Sequence, residues 1–459
     1  MKNMRTFAFC TKRVIMYPFP LSAINYTLRR LFDIAGLPAN EPLPAIFDME
    51  RMQVSTELVE GKHVVFHLLD EEKLNHLLQG QLTPAHIKSH DGQSDCPIFY
   101  CGQSQNAAIL EGDTLHIHAD LLSLPFILLS RYEEMICADR DSHGRFPYQQ
   151  SLACRYQFVE IPIVDEYGLF LRQLLTDFIP SLLITPRQGR VVPTHDVDLL
   201  FRFGSFMQNL RTVVGGDLIK AHNLKRALRS WNECRATLRN RCNDPLVQAI
   251  ERLCIASKEA GLTSIFHFKA LHNGEKDATY DISQPELKHC FDIIKQQGMQ
   301  LGLHGSYDNY DDGDTLRQEK EALEHACGQP IDCARQHFLR FDVHQSLAAW
   351  QICGIRHDST LGFAEREGFR CGTCHPYPLY DWQQQEESSV IEHPLIVMDG
   401  TLIEYRQLDP PTALAQIRRL HHQCMAVEGD MVILWHNHTI IREFEEYYRK
   451  VYLAFLQSL

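Results

Sequence analysis

The spacing with the most chemical promise is a pair of carboxylates two residues apart, in Pro193-Thr194-His195-Asp196-Val197-Asp198. Side chains alternate along an extended strand, so Asp196 and Asp198 share one face. Carboxylates that close resist joint ionisation and need separate tasks or a cation between them. A second apolar run ends in Gly302-Leu303-His304. A carboxylate and an imidazole at one rim suit Zn²⁺ or a similar divalent ion with positions open to water and substrate. The run Arg335-Gln336-His337-Phe338-Leu339-Arg340-Phe341 carries two arginines able to hold the first carboxylate ionised and in place. Met431-Val432-Ile433-Leu434-Trp435-His436 delivers an imidazole suited to protonating a departing amine. Asp358, in His357-Asp358-Ser359-Thr360, is placed to tune that imidazole or to pair with an arginine. One strand-end histidine is ordinarily structural, and it is the grouping at matching strand ends that points to chemistry.

For these residues to meet, strands must deliver them to a common edge. From about residue 187 onward the pattern alternates strand and helix signals, as in βα units around a parallel sheet or barrel. The strand candidates are 191–198, 264–269, 300–304, 334–341, 354–358, 392–398 and 431–436, which makes about seven βα repeats. Helices are expected at 285–296, 315–326, 345–353 and 411–427, the first with a Ser283–Glu286 capping box, Pro285 in the first turn and Gly298 as its stop. In such folds chemistry sits at the carboxyl ends of the strands. A helical insertion at about 201–261 is basic in part, with Leu224, Leu228, Trp231 and Leu238 at helical spacing. Amphipathic helices are usually structural, so the expectation is a core-packed helix with a solvated basic face, in preference to contact with an anionic surface. Residues 1–186 mix strand-like runs such as Val64-Val65-Phe66 and Leu115-His116-Ile117 with helical stretches, and read as a separate, smaller α+β domain ending near Thr185-Pro186-Arg187-Gln188-Gly189.

Composition excludes several classes. The 459 residues are 44% hydrophobic and 22% charged, which is globular. A net charge of -13 repels polyanions and disfavours general nucleic-acid binding. Fifteen cysteines without regular spacing argue for reduced thiols and a cytoplasmic location, and no apolar run is long enough for a transmembrane helix. Peripheral membrane contact remains open.

The order of these motifs resembles the polysaccharide deacetylase (NodB-homology) superfamily over residues 187 to 459, and is closest to a divergent branch with an extra N-terminal domain of undefined function. Residues 130 to 175 are similar to the end of that domain, and Gly368-Phe369-Arg370-Cys371-Gly372-Thr373-Cys374 looks like the branch's own signature. The resemblance implies a distorted (β/α)7 barrel and a metal-dependent carbohydrate N-deacetylase. Asp196 would be the catalytic base, Asp198 and His304 metal ligands, Arg335 the third motif's arginine, and Asp358 and His436 the fourth and fifth motifs. The second histidine of the family's H-S/T-x-x-H falls at Asp308, which can ligate as a carboxylate, and His337 is a rival third ligand. The implied cofactor is one divalent ion, Zn²⁺ ahead of Co²⁺, Mn²⁺ or Ni²⁺. The implied partner is an N-acetylated sugar, a glycan or an activated glycan precursor, with a non-catalytic glycan-binding or scaffold role as the alternative. The loop carrying Cys371 and Cys374, with His375 and Tyr377 beside it, reads equally as the wall of a substrate cleft or as plain packing.

Overall fold

The structure is a computed structural model, and it describes residues 19–37, 45–101, 106–204, 209, 224–271, 274, 276–277 and 280–459. Strands are numbered along the chain. In the first part, β1 (Ile46–Asp48), β2 (Gln53–Val59) and β3 (Lys62–His67) form an antiparallel meander, β4 (Ala85–Lys88) and β5 (Asp95–Ile98) a separate hairpin, and β6 (Ala108–Glu111) and β7 (Thr114–Ile117) another hairpin. The five-stranded sheet has the order β1-β2-β3-β7-β6. The two runs read from sequence as strands lie in β3 and β7 and pair in parallel, Val64 opposite Leu115.

The second part supplies β8 (Val191–Val197), β9 (Ile265–Phe268), β10 (Gln300–Gly305), β11 (Cys333–Gln336), β12 (His357–Asp358), β13 (Tyr377–Asp381), β14 (Glu386–Glu392), β15 (Leu395–Met398) and β16 (Met431–Leu434). They form one nine-stranded sheet, ordered β13-β14-β12-β11-β10-β9-β8-β16-β15, parallel except for β13. The sheet has to curl. The first and last of its parallel strands, β14 and β15, are separated in sequence only by His393-Pro394, a path of at most about 11 Å, whereas eight parallel strands laid flat would hold them about 34 Å apart. The result is a curled half-barrel sheet in a mixed α/β structure.

This differs from the sequence reading at several strands: the fourth candidate, 334–341, leaves the ladder after Gln336, and the fifth, 354–358, is a strand only over His357–Asp358. The sixth candidate, 392–398, is the junction of two strands, because Pro394 cannot continue a ladder. The hairpin β13–β14 was not anticipated. Helices Pro285–Gln296 and Gln345–Cys353 fall where expected. The Ser283 capping box does not form, since Asp281 takes the Ser283 amide and hydroxyl and Gln284 stands at the cap.

One contiguous apolar core, from Phe19 to Leu456, joins the helices of the first part to the large sheet. The Gly368–Tyr377 loop lies within it. Cys371 and Cys374 are buried, the Val164 amide donates to the Gly372 carbonyl at 2.8 Å, and the Cys374 amide donates to Asp165 at 2.8 Å. Cys371, Cys374, His375 and Tyr377 are all buried, so the loop is packing and does not wall a cleft. Every cysteine among the described residues is free. Among those residues no helix is long and apolar enough to cross a membrane.

The basic insertion corrects the expectation. Of the helix Leu224–Arg239, the buried residues are Ala227, Ser230, Cys234 and Thr237, while Leu224, Leu228, Trp231 and Leu238 are exposed. The large apolar residues face away from the core.

Candidate metal and active site

All the parallel strands present their carboxyl ends to one rim. Register places Asp196 on β8 beside His267 on β9, and His304 on β10 beside Arg335 on β11. The two-residue spacing works as strand alternation requires: Asp196 is buried at the sheet edge, and Asp198 one step further is 19% exposed at the opening.

Asp198, His304 and His337 each offer a ligand atom, and these atoms lie within 4.8 Å of one another. Asp198 Oδ1 is 3.4 Å from His304 Nε2, 3.5 Å from His337 Nε2 and 3.1 Å from Lys269 Nζ. That oxygen is buried, yet none of these neighbours is aligned to hydrogen-bond it. An orphaned carboxylate oxygen facing two imidazole nitrogens is a donor set that fits a divalent ion of the Zn²⁺ kind. The far nitrogens are fixed as metal-ligating imidazoles require. His304 Nδ1 is 2.9 Å from the Arg335 carbonyl, and His337 Nδ1 is 3.1 Å from Asp277 Oδ1. Burial drives the His337 imidazole down to about 4, so it stands neutral and ready to ligate.

Asp196 sits one layer deeper. Arg335 Nη1 donates to its Oδ1 at 3.1 Å and His267 Nδ1 lies 3.0 Å from the same atom, which leaves Oδ2 turned toward His304 Nε2 at 3.7 Å. Burial alone would raise this carboxyl, but Arg335 and His304 outweigh it and hold Asp196 well below the carboxylate range. Asp198 is likewise held low against burial, by His304 and Lys269. Gly302 makes room here, since a Cβ at that position would come within 2.5 Å of the His267 ring.

On the opposite side His436 Nε2 is 3.6 Å from Asp198 Oδ2. Its Nδ1 is 2.6 Å from Asp399 Oδ1, and its backbone amide donates to Asp399 Oδ2 at 2.9 Å. Burial disfavours the imidazolium, but Asp399 prevails and raises His436 to about 10. Asp399 is also tied down by Thr439.

Above the rim, β11 runs into a strained turn in which Phe338 and Leu339 adopt φ of 59° and 56°. Residues from the first part of the chain reach it. Arg145 donates to the Phe338 carbonyl at 3.0 Å, and the His143 ring lies 4.5 Å from the Phe338 ring. Tyr307, packed edge-on to Phe338 and hydrogen-bonded to His143, completes an aromatic lip beside the ligands.

The structure thus brings together Asp196, Asp198, His304, Arg335, His337 and His436. It does not bring in Asp308, whose side chain is 66% exposed and faces Arg340 at 3.7 Å. The 3-10 turn Tyr307–Asn309 carries Asp308 outward, and it is His337 that lies close to Asp198 and His304. Asp358 does not meet His436 either. It is buried beside Thr360 and Glu392, burial raises its pKa, and Asp399 holds the imidazole instead.

Sequence reasoning missed Lys269, His267, Asp277 and Asp399. His267 and Lys269 repeat on β9 the two-residue polar spacing of Asp196 and Asp198, and Asp399 directly follows the apolar run of β15, so both signals were present. Asp277 lies in a loop without one.

Residues 21–180 match the sequence profile of a family of unknown function, DUF7033. No curated protein matches the chain. Among solved structures, it is similar to a putative polysaccharide deacetylase from Mycobacterium smegmatis at 17% identity, over 60% of this chain and 84% of that one, with a TM-score of 0.37. It is also similar to a CE4 family pseudoenzyme from Bacillus anthracis, at 10% identity, 60% and 61% coverage and a TM-score of 0.28. A mutant of that pseudoenzyme with restored enzymatic activity matches at 10% identity, 60% and 64% coverage and a TM-score of 0.29. At that similarity, the geometry of the site carries the function.

Proposed function

We propose that the chain is a metal-dependent amide hydrolase that removes an acetyl group from an N-acetylated sugar, glycan or activated glycan precursor in the cytosol. Its second part is then a distorted (β/α)7 barrel in which β14 and β15 count as one bent strand, preceded by an α+β domain over residues 1–186. The observation that carries this reading is the convergence of Asp198, His304 and His337 beside both a buried ionised aspartate and a charged histidine.

Asp198, His304 and His337 would hold the ion, which supplies Lewis acidity toward the acetyl carbonyl and lowers the pKa of water. Asp196, kept ionised by Arg335, turns its Oδ2 to the same side and takes the proton from the attacking water. His436, an imidazolium at neutral pH, gives its proton to the departing amine while Asp399 keeps its ring in position.

The test is metal content after dialysis and reloading, together with acetate release from acetylated sugars, for native protein and Asp198→Ala. About one ion per native chain, lost with activity in a folded variant, is expected. An ion content no higher than the variant's would overturn the assignment.

Lys269 favours a second reading. Its ammonium, 2% exposed, lies 3.1 Å from Asp198 Oδ1 and 3.0 Å from His337 Nε2, a fixed cation among the ligands. In a non-catalytic glycan-binding protein that cation would replace the metal, giving sub-stoichiometric metal and sugar binding without acetate release.

A further inference from the structure

The helix Leu224–Arg239 turns its small residues inward and its large apolar residues outward. Ala227, Ser230, Cys234 and Thr237 are buried, with Cys234 packed on Phe203. Leu224 is 65% exposed, Leu228 56%, Trp231 52% and Leu238 70%. At 3.6 residues per turn these four form one stripe along the helix. Scattered exposed apolar residues are ordinary, but a stripe of three leucines and a tryptophan on one helix marks an interaction surface.

The charges on the helix identify the kind of surface. Lys225, Arg226, Arg229, Arg235 and Arg239 stand against the single acid Glu233, in a chain whose net charge is -13. Arg229 is taken up by Glu233 and Glu445. Lys225, Arg235 and Arg239 are exposed, and by helical angle Arg235 lies within the apolar stripe while Lys225 and Arg239 flank it. A buried protein interface disfavours such cations, because each would be desolvated unless a partner carboxylate met it. An anionic lipid surface accepts both features together, the apolar side chains at the headgroup boundary and the cations among the phosphates.

We propose that the helix Leu224–Arg239 lies flat on an anionic membrane surface, inserting Leu224, Leu228, Trp231 and Leu238 and placing Lys225, Arg235 and Arg239 against lipid phosphates. Such docking would hold the chain at a membrane independently of what the rim catalyses.

The experiment is co-sedimentation of the full chain with extruded vesicles, either phosphatidylcholine alone or with about 30% phosphatidylglycerol. Tryptophan emission is followed in parallel. Trp350 and Trp435 are fully buried and Trp382 is partly buried, so a blue shift reports Trp231. Expected are binding to the anionic vesicles only, a blue shift, and about tenfold weaker binding at high salt. Leu228→Ser/Trp231→Ser and Lys225→Glu/Arg235→Glu/Arg239→Glu, all at exposed positions, should each abolish binding while keeping native circular dichroism. Leu224→Ser/Leu238→Ser serves as a second apolar variant. The proposal falls if the native chain ignores anionic vesicles, or if the apolar variants bind as the native chain does. It also falls if sedimentation velocity instead reveals self-association that Leu228→Ser/Trp231→Ser removes, which would assign the stripe to a second copy of the chain.

Discussion

Arg131, Glu134 and Arg370 form a closed ionic knot where the helices after Ser123 meet the Gly362–Tyr377 segment, whereas Asp198, His304, His337 and Lys269 form an open one at the strand ends. In the knot, Glu134 Oε1 accepts from Arg131 Nε at 2.8 Å and Arg370 Nε at 2.9 Å, and Oε2 accepts from Arg370 Nη2 at 2.8 Å. Arg131 Nη2 donates to Glu134 Oε1 at 2.6 Å and to Glu133 Oε1 at 3.2 Å, and the other arginine donors reach the Leu128, Arg370 and Gly362 carbonyls. At the rim, Asp198 Oδ1 is buried without a hydrogen bond, and His267 Nε2 and Asp277 Oδ2, on residues bonded to Asp196 and His337, are likewise unmatched. Saturation is what a structural cluster achieves, and unmet capacity is what a binding site retains. The two clusters should therefore respond oppositely to mutation and to added metal.

The largest effect belongs to the knot. Glu134→Ala leaves two buried guanidinium groups without their shared carboxylate and should cost about 3–5 kcal/mol in urea unfolding. A loss below about 1 kcal/mol would mean the knot is not holding the two parts together. Acid is a gentler probe of the same contact. Burial opposes ionisation of Glu134, but Arg131 and Arg370 lower it from 4.5 to about 2. Its folded-state pKa is thus depressed, so its stabilisation is complete above 4.5 and is lost as pH falls toward about 2. Stability measured across that window should fall more steeply for the native chain than for Glu134→Gln, and parallel slopes would contradict the assignment.

The open cluster should answer to metal instead. Zn²⁺ at about a hundredfold its dissociation constant should raise unfolding stability by about 2.7 kcal/mol in the native chain, and by nothing in Asp198→Ala. Thermal or urea unfolding with and without the ion measures this. Equal stabilisation of both proteins would place the ion elsewhere.

How far the sequence anticipated these clusters follows from the range of the forces involved. Helix Pro285–Gln296 was legible because local signals bound it, among them Pro285 in the first turn and Gly298, left-handed, just past its end. Asp196, Asp198, His304 and His436 were legible because strand alternation and parallel order fix where a strand-end residue goes. What the sequence hides depends on closure. The β14–β15 junction makes sense only once the sheet curls, and Asp399 meets His436 because β15 pairs with β16. The family resemblance put Asp308 where the second histidine of its motif would fall, but the turn after β10 swings it outward. The Leu224–Arg239 helix has the pattern of a core helix and the opposite burial, because periodicity reveals a stripe without saying which side faces the protein.

The smallest effect sharpens the comparison most, because it separates the two readings of the open cluster. The Lys269 ammonium and a divalent ion compete for the same carboxylate oxygen and the same face of His337. Replacing Lys269 with Met removes a positive charge about 3 Å from the ligands while keeping an unbranched side chain of similar length. Zn²⁺ affinity, measured by competition with a chromophoric chelator, should rise about tenfold, equivalent to about 1.4 kcal/mol. If the native chain binds an ion and Lys269→Met binds it more tightly, the lysine tunes a working metal site. If only Lys269→Met binds, the lysine has taken the metal's place, and the non-catalytic reading follows. Weaker binding by the variant would instead make Lys269 a support for the ligands, with its ammonium orienting His337 in the way that Asp399 orients His436.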